Sequence, residues 1–229
     1  IALADDLIKR RRLAGPDGLP LKPRNDRDWA DNVFREGLVS YDLGLWVGAL
    51  DVVVELGAND PQLADRARAA AAAARQKIDE LLWVEGRQGY ADYRTPDGFV
   101  EDHLVIDSLT LLRYDAVPED KARRLLASMR RVLESRHNAE QPYGDWGMLC
   151  ASPPYKRVRD IRAKTAFAFR YHNGSDWPYW DGVYAEERLR RGLGGVRYPL
   201  LRWWEVSLEQ GWLGAVEYFS PPFGRGSHL

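Results

Sequence analysis

The sequence is poor in the residues that build covalent cross-links and metal sites. It contains one cysteine, Cys150, and four histidines among 229 residues. A single thiol cannot form an internal disulfide or a thiolate metal site, and the histidines have no HExxH-like spacing. We therefore expect no metal ion and no need for an oxidising compartment. The stretch "GLGG" at 192–195 lacks the preceding strand that a dinucleotide loop needs, and we expect no organic cofactor.

Net charge and long apolar runs are also lacking. The 33 basic and 34 acidic side chains leave a net charge of -1, so no global field attracts nucleic acid or an anionic membrane. No stretch approaches the ~20 consecutive apolar residues of a membrane-spanning helix, and the first residues are unlike a signal peptide. We expect a cytoplasmic protein that binds a small neutral partner, and neither nucleic acid nor a membrane.

Aromatic residues are abundant by contrast, with nine Trp, eleven Tyr and six Phe. Sugar-binding clefts combine flat aromatic faces with carboxylates and amides. The dipeptide Asp-Trp occurs at 28–29, 145–146 and 176–177, and the three would converge on one cavity if their connections lie at one end of the fold. Alternatively, each Asp is a helix N-cap and each Trp anchors a loop.

Helical signals dominate the secondary structure. An apolar face over 41–57 ends at Gly57, and Asp60 with Pro61 starts a second helix that runs to about Trp83. The later elements are a small β-hairpin or extended loop over 88–102, helical spacing over 103–115, an amphipathic helix over 118–136, a loop-rich segment over 138–176, and a third helical pair over 177–192 and 198–214. The pattern predicts about seven helices, mostly antiparallel hairpins, in one domain spanning 1–229.

Three stretches carry the candidate chemistry. In "RNDRDWADNVFREG", residues 24–37, Trp29 stands between Asp28 and Asp31. "YHNGSDWPYWDGVY", residues 171–184, leads polar groups into an aromatic helix start. "GAVEYFSPPFG" places Glu217 directly after apolar residues, where we expect partial desolvation and a raised pKa.

The ordered set "DWAD", "YHNGSDWPYWDG" and "EYFSPPFG" resembles glycosidases of the six-hairpin, or (α/α)6 barrel, class, which includes trehalase-like, glucosidase I-like and glycogen-debranching-like enzymes. The resemblance implies an all-α fold, namely antiparallel helical hairpins of an (α/α)6 toroid or part of one, with a small β-hairpin and long loops. A complete barrel has twelve helices, so the chain resembles its C-terminal half, completed by an upstream segment or a second chain. "SPPFG" departs from the family pattern of an acid, Pro and Thr-Gly.

The resemblance implies an inverting glycoside hydrolase for a small carbohydrate, an α-linked glucoside or mannoside. Asp31 falls on the general acid, with Asp28 as the competing choice, and Glu217 falls on the general base. Such enzymes hold the two carboxyl groups about 6.5–9.5 Å apart, with a water between them. The residues implied to contact the sugar are Arg24, Asp28, Trp29, Arg35, Tyr143, Trp146, Tyr171, His172, Asn173, Gly174, Trp177 and Trp180.

Other interpretations of the same residues stay open. Asp31 can pair with Arg35 at i+4 on a helix, and Glu217 can be a structural acid bonded to loop amides. A phosphorylase or lyase would use an anion site built from arginines such as Arg24, Arg27 and Arg35. A non-catalytic, sugar-binding half-barrel is the remaining alternative.

Overall fold

The computed structural model describes residues 15, 18–155, 161–214 and 216–221, and the backbone of 225–227. Residues 222–224 of the "EYFSPPFG" motif lie outside these ranges. The described helices are α1 Ser40–Leu56, α2 Pro61–Leu82, α3 Leu109–Arg113, α4 Glu119–Val132, α5 Pro178–Arg190 and α6 Arg197–Glu209. The described strands are β1 Lys22–Asn25, β2 Arg35–Val39, β3 Trp83–Val84, β4 Gly89–Tyr90, β5 Tyr93–Arg94, β6 Val100–Glu101, β7 Leu104–Val105, β8 Ala151–Ser152, β9 Tyr218–Ser220 and β10 Arg225–Ser227.

The first helical hairpin, α1 and α2, forms where the sequence predicts it. Gly57 follows the last residue of α1. The side chain of Asp60 accepts a hydrogen bond from the backbone N–H of Leu63 at 3.1 Å, and Pro61 is the first residue of α2. These local signals end one helix and start the next, so the two pack antiparallel.

The helices α1, α3 and α5 pack side by side, with α3 in contact with both α1 and α5. The helix α2 packs against α1, and α6 packs against α5. Gly44 makes the first approach possible, because a Cβ there would lie 2.6 Å from the backbone of Thr110 in α3. The fold is thus the predicted all-α arrangement of helical hairpins, with small antiparallel sheets and long loops between them.

The segment over 24–37 is not helical. β1 and β2 pair antiparallel in a four-stranded sheet of order β1-β2-β5-β6, and the turn between β1 and β2 carries Asp28 to Asp31. Gly37 has a φ of +82°, and a Cβ there would lie within 2.3 Å of a carbonyl oxygen of β5. The i+4 helical pairing of Asp31 with Arg35 is therefore wrong.

Helical structure over 103–115 is also shorter than predicted. Leu104 and Val105 pair with β8 instead, a 3-10 turn covers Ile106–Ser108, and only Leu109–Arg113 is α-helical. Strand pairing with a distant segment overrides the local helical spacing here.

Across the described ranges, no helix combines the length and apolarity needed to cross a membrane. Over the same residues, His, Cys, Asp and Glu side chains form no group of three or more that could hold a metal ion.

Candidate active site

A cavity of about 480 Å³ opens where the β1–β2 turn, the start of α1, the start of α5 and the segment before β9 meet. Its lining residues are Trp29, Tyr41, Trp177, Tyr179, Trp180, Val216 and Glu217. The rings of Trp29 and Trp177 lie 5.4 Å apart between centroids, nearly perpendicular to each other. The indoles of two of the three Asp-Trp pairs therefore line this cavity, whereas their aspartates and the third pair do not.

His172 lies at the centre of the aromatic cluster beside the cavity. Its ring stacks on Trp177 at 4.4 Å with an interplanar angle of 6°, and it meets Trp29 at 4.7 Å and 86°. Burial lowers the pKa of His172 to about 3 despite the opposing charge of Asp31. The imidazole is therefore neutral at neutral pH.

Asp31 projects from the turn between β1 and β2, and its side chain is 59% exposed. Its Oδ1 lies 3.1 Å from Nε2 of His172. A neutral imidazole donates a hydrogen bond to a carboxylate, or accepts one from a carboxylic acid in its other tautomer. His172 can thus hold Asp31 in both protonation states that a general acid passes through.

The Tyr171 hydroxyl senses the charge of both candidate catalytic carboxylates. Burial raises the pKa of Tyr171, and its hydrogen bond to Asp31 and the negative charges of Asp31 and Glu217 raise it further. Its backbone φ of +52° is in the left-handed region, as is that of Asn32, next to Asp31, at +73°. Non-glycine residues adopt this conformation at a cost, and such residues cluster at functional sites.

Glu217 lines the cavity and lies directly before β9. Phe219 in β9 bridges to Asp176, and Tyr218 stacks on Trp177 at 5.1 Å, so β9 is fixed against the loop that starts α5. Glu217 itself is exposed. The predicted desolvation of this carboxylate is wrong, because its side chain stands in contact with solvent.

An ion network lies beneath Trp29. Arg35 is 1% exposed and pairs through its guanidinium with Asp28, Asp92 and Asp107 at 3.4, 3.0 and 2.7 Å. Asp28 also pairs with Lys22 at 3.0 Å and accepts the backbone N–H of Ala30. Arg35 and Asp28 are predicted to contact the sugar, but both side chains are buried in this network and neither lines the cavity.

Trp146, Asn173 and Gly174 form part of the interior instead of the cavity wall. The indole of Trp146 is 3% exposed and donates to Gln141. The amide of Asn173 donates to the carbonyl of Thr165 and accepts the N–H of Tyr155, and Gly174 donates its N–H to Cys150 Sγ. These contacts anchor the loop that carries His172.

Tyr143 and Arg24 also lie away from the cavity lining. Tyr143 is 43% exposed and packs against Phe169 at 5.5 Å, and Arg24 on β1 lies over the ring of Phe34 at 4.7 Å.

The N-cap alternative for the Asp-Trp pairs fails at Asp176. Its carboxylate accepts a hydrogen bond from the backbone N–H of Met148, and Trp177 occupies the N-cap position of α5.

Several residues at the site escape prediction from the sequence. Tyr41 and Tyr179 line the cavity, and Asp107 accepts the indole N–H of Trp29. Lys164 Nζ lies 5.1 Å from the ring centroid of Tyr171 and 5.8 Å from that of Tyr218. Only Tyr179 carried a signal, because it stands within the aromatic "WPYW" stretch; the others come from distant elements.

No protein-family model and no curated protein matches the sequence. Solved structures do match the fold at low sequence identity. A GH63 mannosylglycerate hydrolase from Thermus thermophilus in complex with glucose superposes with a TM-score of 0.56 at 16% identity, over 81% of this chain and 40% of that one. The same hydrolase with Tris and D-glycerate gives 0.53 at 17% identity, over 81% and 41%.

An uncharacterized conserved protein from the same organism gives a TM-score of 0.56 at 16% identity, over 81% of this chain and 42% of that one. These likenesses show the fold alone, which is the helical-hairpin architecture of part of an (α/α)6 toroid. The chain spans about 40% of the length of the GH63 hydrolase that it resembles.

Proposed function

We propose that the chain carries the catalytic carboxylates of an inverting glycoside hydrolase whose substrate is a small α-linked glucoside or mannoside. One observation carries the proposal: both carboxyl groups lie at the same aromatic cluster, because Glu217 lines the cavity with Trp29 and Trp177 and Asp31 bonds to His172, whose ring contacts both indoles. Flat aromatic faces suit the C–H side of a pyranose, and two carboxyl groups suit acid and base catalysis.

In the proposed reaction, protonated Asp31 gives its proton to the leaving oxygen while the bond from that oxygen to the anomeric carbon breaks. The carboxylate of Glu217 takes a proton from the water that attacks the opposite face, so the configuration inverts. Both side chains are exposed, which suits groups that must exchange a proton with solvent after each turnover.

The surroundings of Asp28 favour Asp31 as the acid. Burial raises the pKa of Asp28, but the positive charges of Arg35 and Lys22 outweigh it and hold the pKa below its usual value. A carboxyl group that is fixed in two ion pairs and ionised at neutral pH is a poor proton donor. Asp31 has the neutral His172 as its neighbour instead.

The test uses the complete gene product with α-glucosides and α-mannosides. We expect Asp31→Asn and Glu217→Gln each to lower kcat by ~10²–10⁴-fold while sugar affinity changes little. Asp65→Asn is the matched control, because Asp65 is an exposed carboxylate paired with Arg68 on α2. Full activity of either site variant would refute the assignment.

A non-catalytic sugar-binding role is the second candidate, because the tryptophans that wall the cavity offer faces for a pyranose without any part played by Asp31 or Glu217. Under this role the parent binds methyl α-glucoside or methyl α-mannoside but hydrolyses neither sugar's aryl glycosides. Sugar affinity without turnover would therefore favour it over the hydrolase.

An exposed apolar stripe on α1 indicates a surface that another part of the protein covers. Leu45, Val52 and Leu56 are 39%, 51% and 79% exposed and lie on one face at i, i+7 and i+11, opposite the buried Leu43 and Val47. A helix that is apolar on two opposite faces is normally packed on both. We propose that further helices of the toroid cover this stripe.

These helices would come from an upstream segment or from a second chain. Val52→Glu in the complete gene product distinguishes the sources. We expect it to lower stability without changing the oligomeric state if the segment is intramolecular, and to dissociate an oligomer if a second chain supplies it. No effect on either property would contradict the proposed packing.

A further inference from the structure

Asp107 is buried beneath the wall of the cavity and takes no part in lining it. It belongs to the 3-10 turn Ile106–Ser108, which joins β7 to α3, and it is 0% exposed. Its Oδ2 accepts a hydrogen bond from Nε1 of Trp29 at 2.5 Å and lies 2.7 Å from a guanidinium nitrogen of Arg35. The acid thus joins a wall residue to the ion network.

We propose that Asp107 is a positioning residue for the sugar site, because it fixes the indole of Trp29 through its N–H so that the ring keeps one orientation in the cavity wall. The role in sugar binding rests on the proposed function. The orientation of the indole does not.

The orientation of the Trp29 indole depends on its N–H, because its other contacts are with aromatic rings. The ring meets His172, Trp177 and Trp180 at centroid distances of 4.7, 5.4 and 5.3 Å, at interplanar angles between 68° and 87°. Aromatic rings favour edge-to-face angles, but several edges of an indole can make such contacts; only its N–H can donate a charge-assisted hydrogen bond, which is shorter and stronger than a neutral one. The carboxylate therefore supplies the direction that the rings alone do not.

Negative charge exceeds positive charge around Asp107, and the indole N–H offsets part of this excess. Arg35 is shared with Asp28 and Asp92. Burial raises the pKa of Asp107 to about 6, and the charges of Asp92 and Asp28 act in the same direction, against Arg35 and the Trp29 N–H. Groups from other elements that sense the charge of Asp107 are Tyr41, Cys150 and Tyr155.

Indole NMR tests the contact without any assumption about function. The chain has nine tryptophans, and Trp29→Phe identifies the Nε1–H signal of Trp29 by its loss. We expect Asp107→Asn to move that signal, and we expect the parent signal to titrate near pH 6 and to stop titrating in the variant. A Trp29 signal that neither Asp107→Asn nor pH moves would overturn the proposal.

Sugar affinity tests the consequence, with methyl α-glucoside and methyl α-mannoside as probes. We expect Asp107→Asn and Trp29→Phe each to weaken binding by about tenfold, and the double variant to bind no more weakly than Trp29→Phe. Additive losses would mean that Asp107 acts on the fold in general and not through Trp29.

Glu187→Gln is the control for a general loss of stability. Glu187 is likewise fully buried and paired with two arginines, Arg190 and Arg191, but it lies near the opposite end of α5 from Trp177 and Trp180. We expect it to lower stability and leave sugar affinity unchanged. If the Trp29 signal responds to Asp107→Asn but the parent binds neither probe, the proposed function fails and the positioning contact stands.

Discussion

Asp31 and His172 meet in the folded chain although they lie 141 positions apart in sequence, with Oδ1 and Nε2 separated by 3.1 Å. The turn between β1 and β2 presents the carboxyl group, and the loop before α5 presents the imidazole. Because His172 also stacks on Trp177, a single contact joins the candidate acid to the aromatic wall of the cavity.

Replacing His172 tests whether this contact serves catalysis. His172→Phe keeps an aromatic ring against Trp177 and removes both nitrogens, so we expect kcat to fall by roughly tenfold or more while KM changes little. Steady-state kinetics on an α-glucoside or α-mannoside measures the split. A rise in KM at constant kcat would instead assign His172 to sugar binding.

Substitutions at Tyr179 and Trp146 should distinguish a residue of the cavity wall from a residue of the core. Tyr179 lines the cavity and is 64% exposed, whereas Trp146 is 3% exposed. We expect Tyr179→Ala to weaken sugar binding several-fold and to change stability by no more than about 0.5 kcal/mol. We expect Trp146→Ala to cost about 3–5 kcal/mol of unfolding free energy. Calorimetry and urea unfolding measure the two effects, and the reverse pattern would contradict the assignment.

The buried carboxyl groups of Asp176 and Asp181 contribute stability that is lost as pH rises. Burial raises the pKa of Asp176 to about 7, and burial with the charge of Asp176 raises that of Asp181 well above its ordinary value. Between about pH 4 and pH 7 these two groups therefore bind more protons in the folded chain than in the unfolded chain, so their contribution to stability falls as the pH rises, while the lowered pKa of His172 acts in the opposite direction.

Asp181→Asn removes one ionisable member of this pair. We expect its unfolding free energy to decrease less, or to increase more, than that of the parent between pH 5 and pH 8. Urea unfolding at each pH measures the slopes. Asp65→Asn, an exposed carboxyl group, should keep the parental slope, and an unchanged slope in Asp181→Asn would contradict the account.

Two glycines inside helices should respond to alanine in opposite directions. A Cβ at Gly44 would lie 2.6 Å from the backbone of Thr110, while a Cβ at Gly182 in α5 meets nothing within 4 Å. We expect Gly44→Ala to destabilise the chain by about 2 kcal/mol or more, because α1 and α3 must separate. Gly182→Ala should stabilise it by up to about 1 kcal/mol, since alanine favours a helix. Thermal unfolding distinguishes the signs.

The helical hairpins could be predicted because their signals are local. Gly57, Asp60 and Pro61 are adjacent in sequence and stop and start helices by their own chemistry. The strands around Asp31 could not, because Arg35 is buried only by virtue of carboxylates on distant elements. A charge run that would be solvated on an isolated helix becomes the centre of an ion network.

The same limit applies to the site. Residue type and motif predicted Trp29, Trp177, Trp180 and Glu217, which line the cavity. Trp146 is chemically identical to Trp29 and follows an aspartate as Trp29 does, but it points into the interior. The direction of a side chain depends on tertiary packing, so the sequence around a tryptophan does not predict whether it lines the cavity or the interior.

The most direct test of the central claim, that Asp31 and Glu217 act as acid and base on an α-glycoside, is proton NMR of the sugar released by the complete gene product. The account predicts that the β-anomer appears first and that Asp31→Asn and Glu217→Gln release it at least ~10²-fold more slowly. First release of the α-anomer, or equal rates for the parent and both variants, would contradict it.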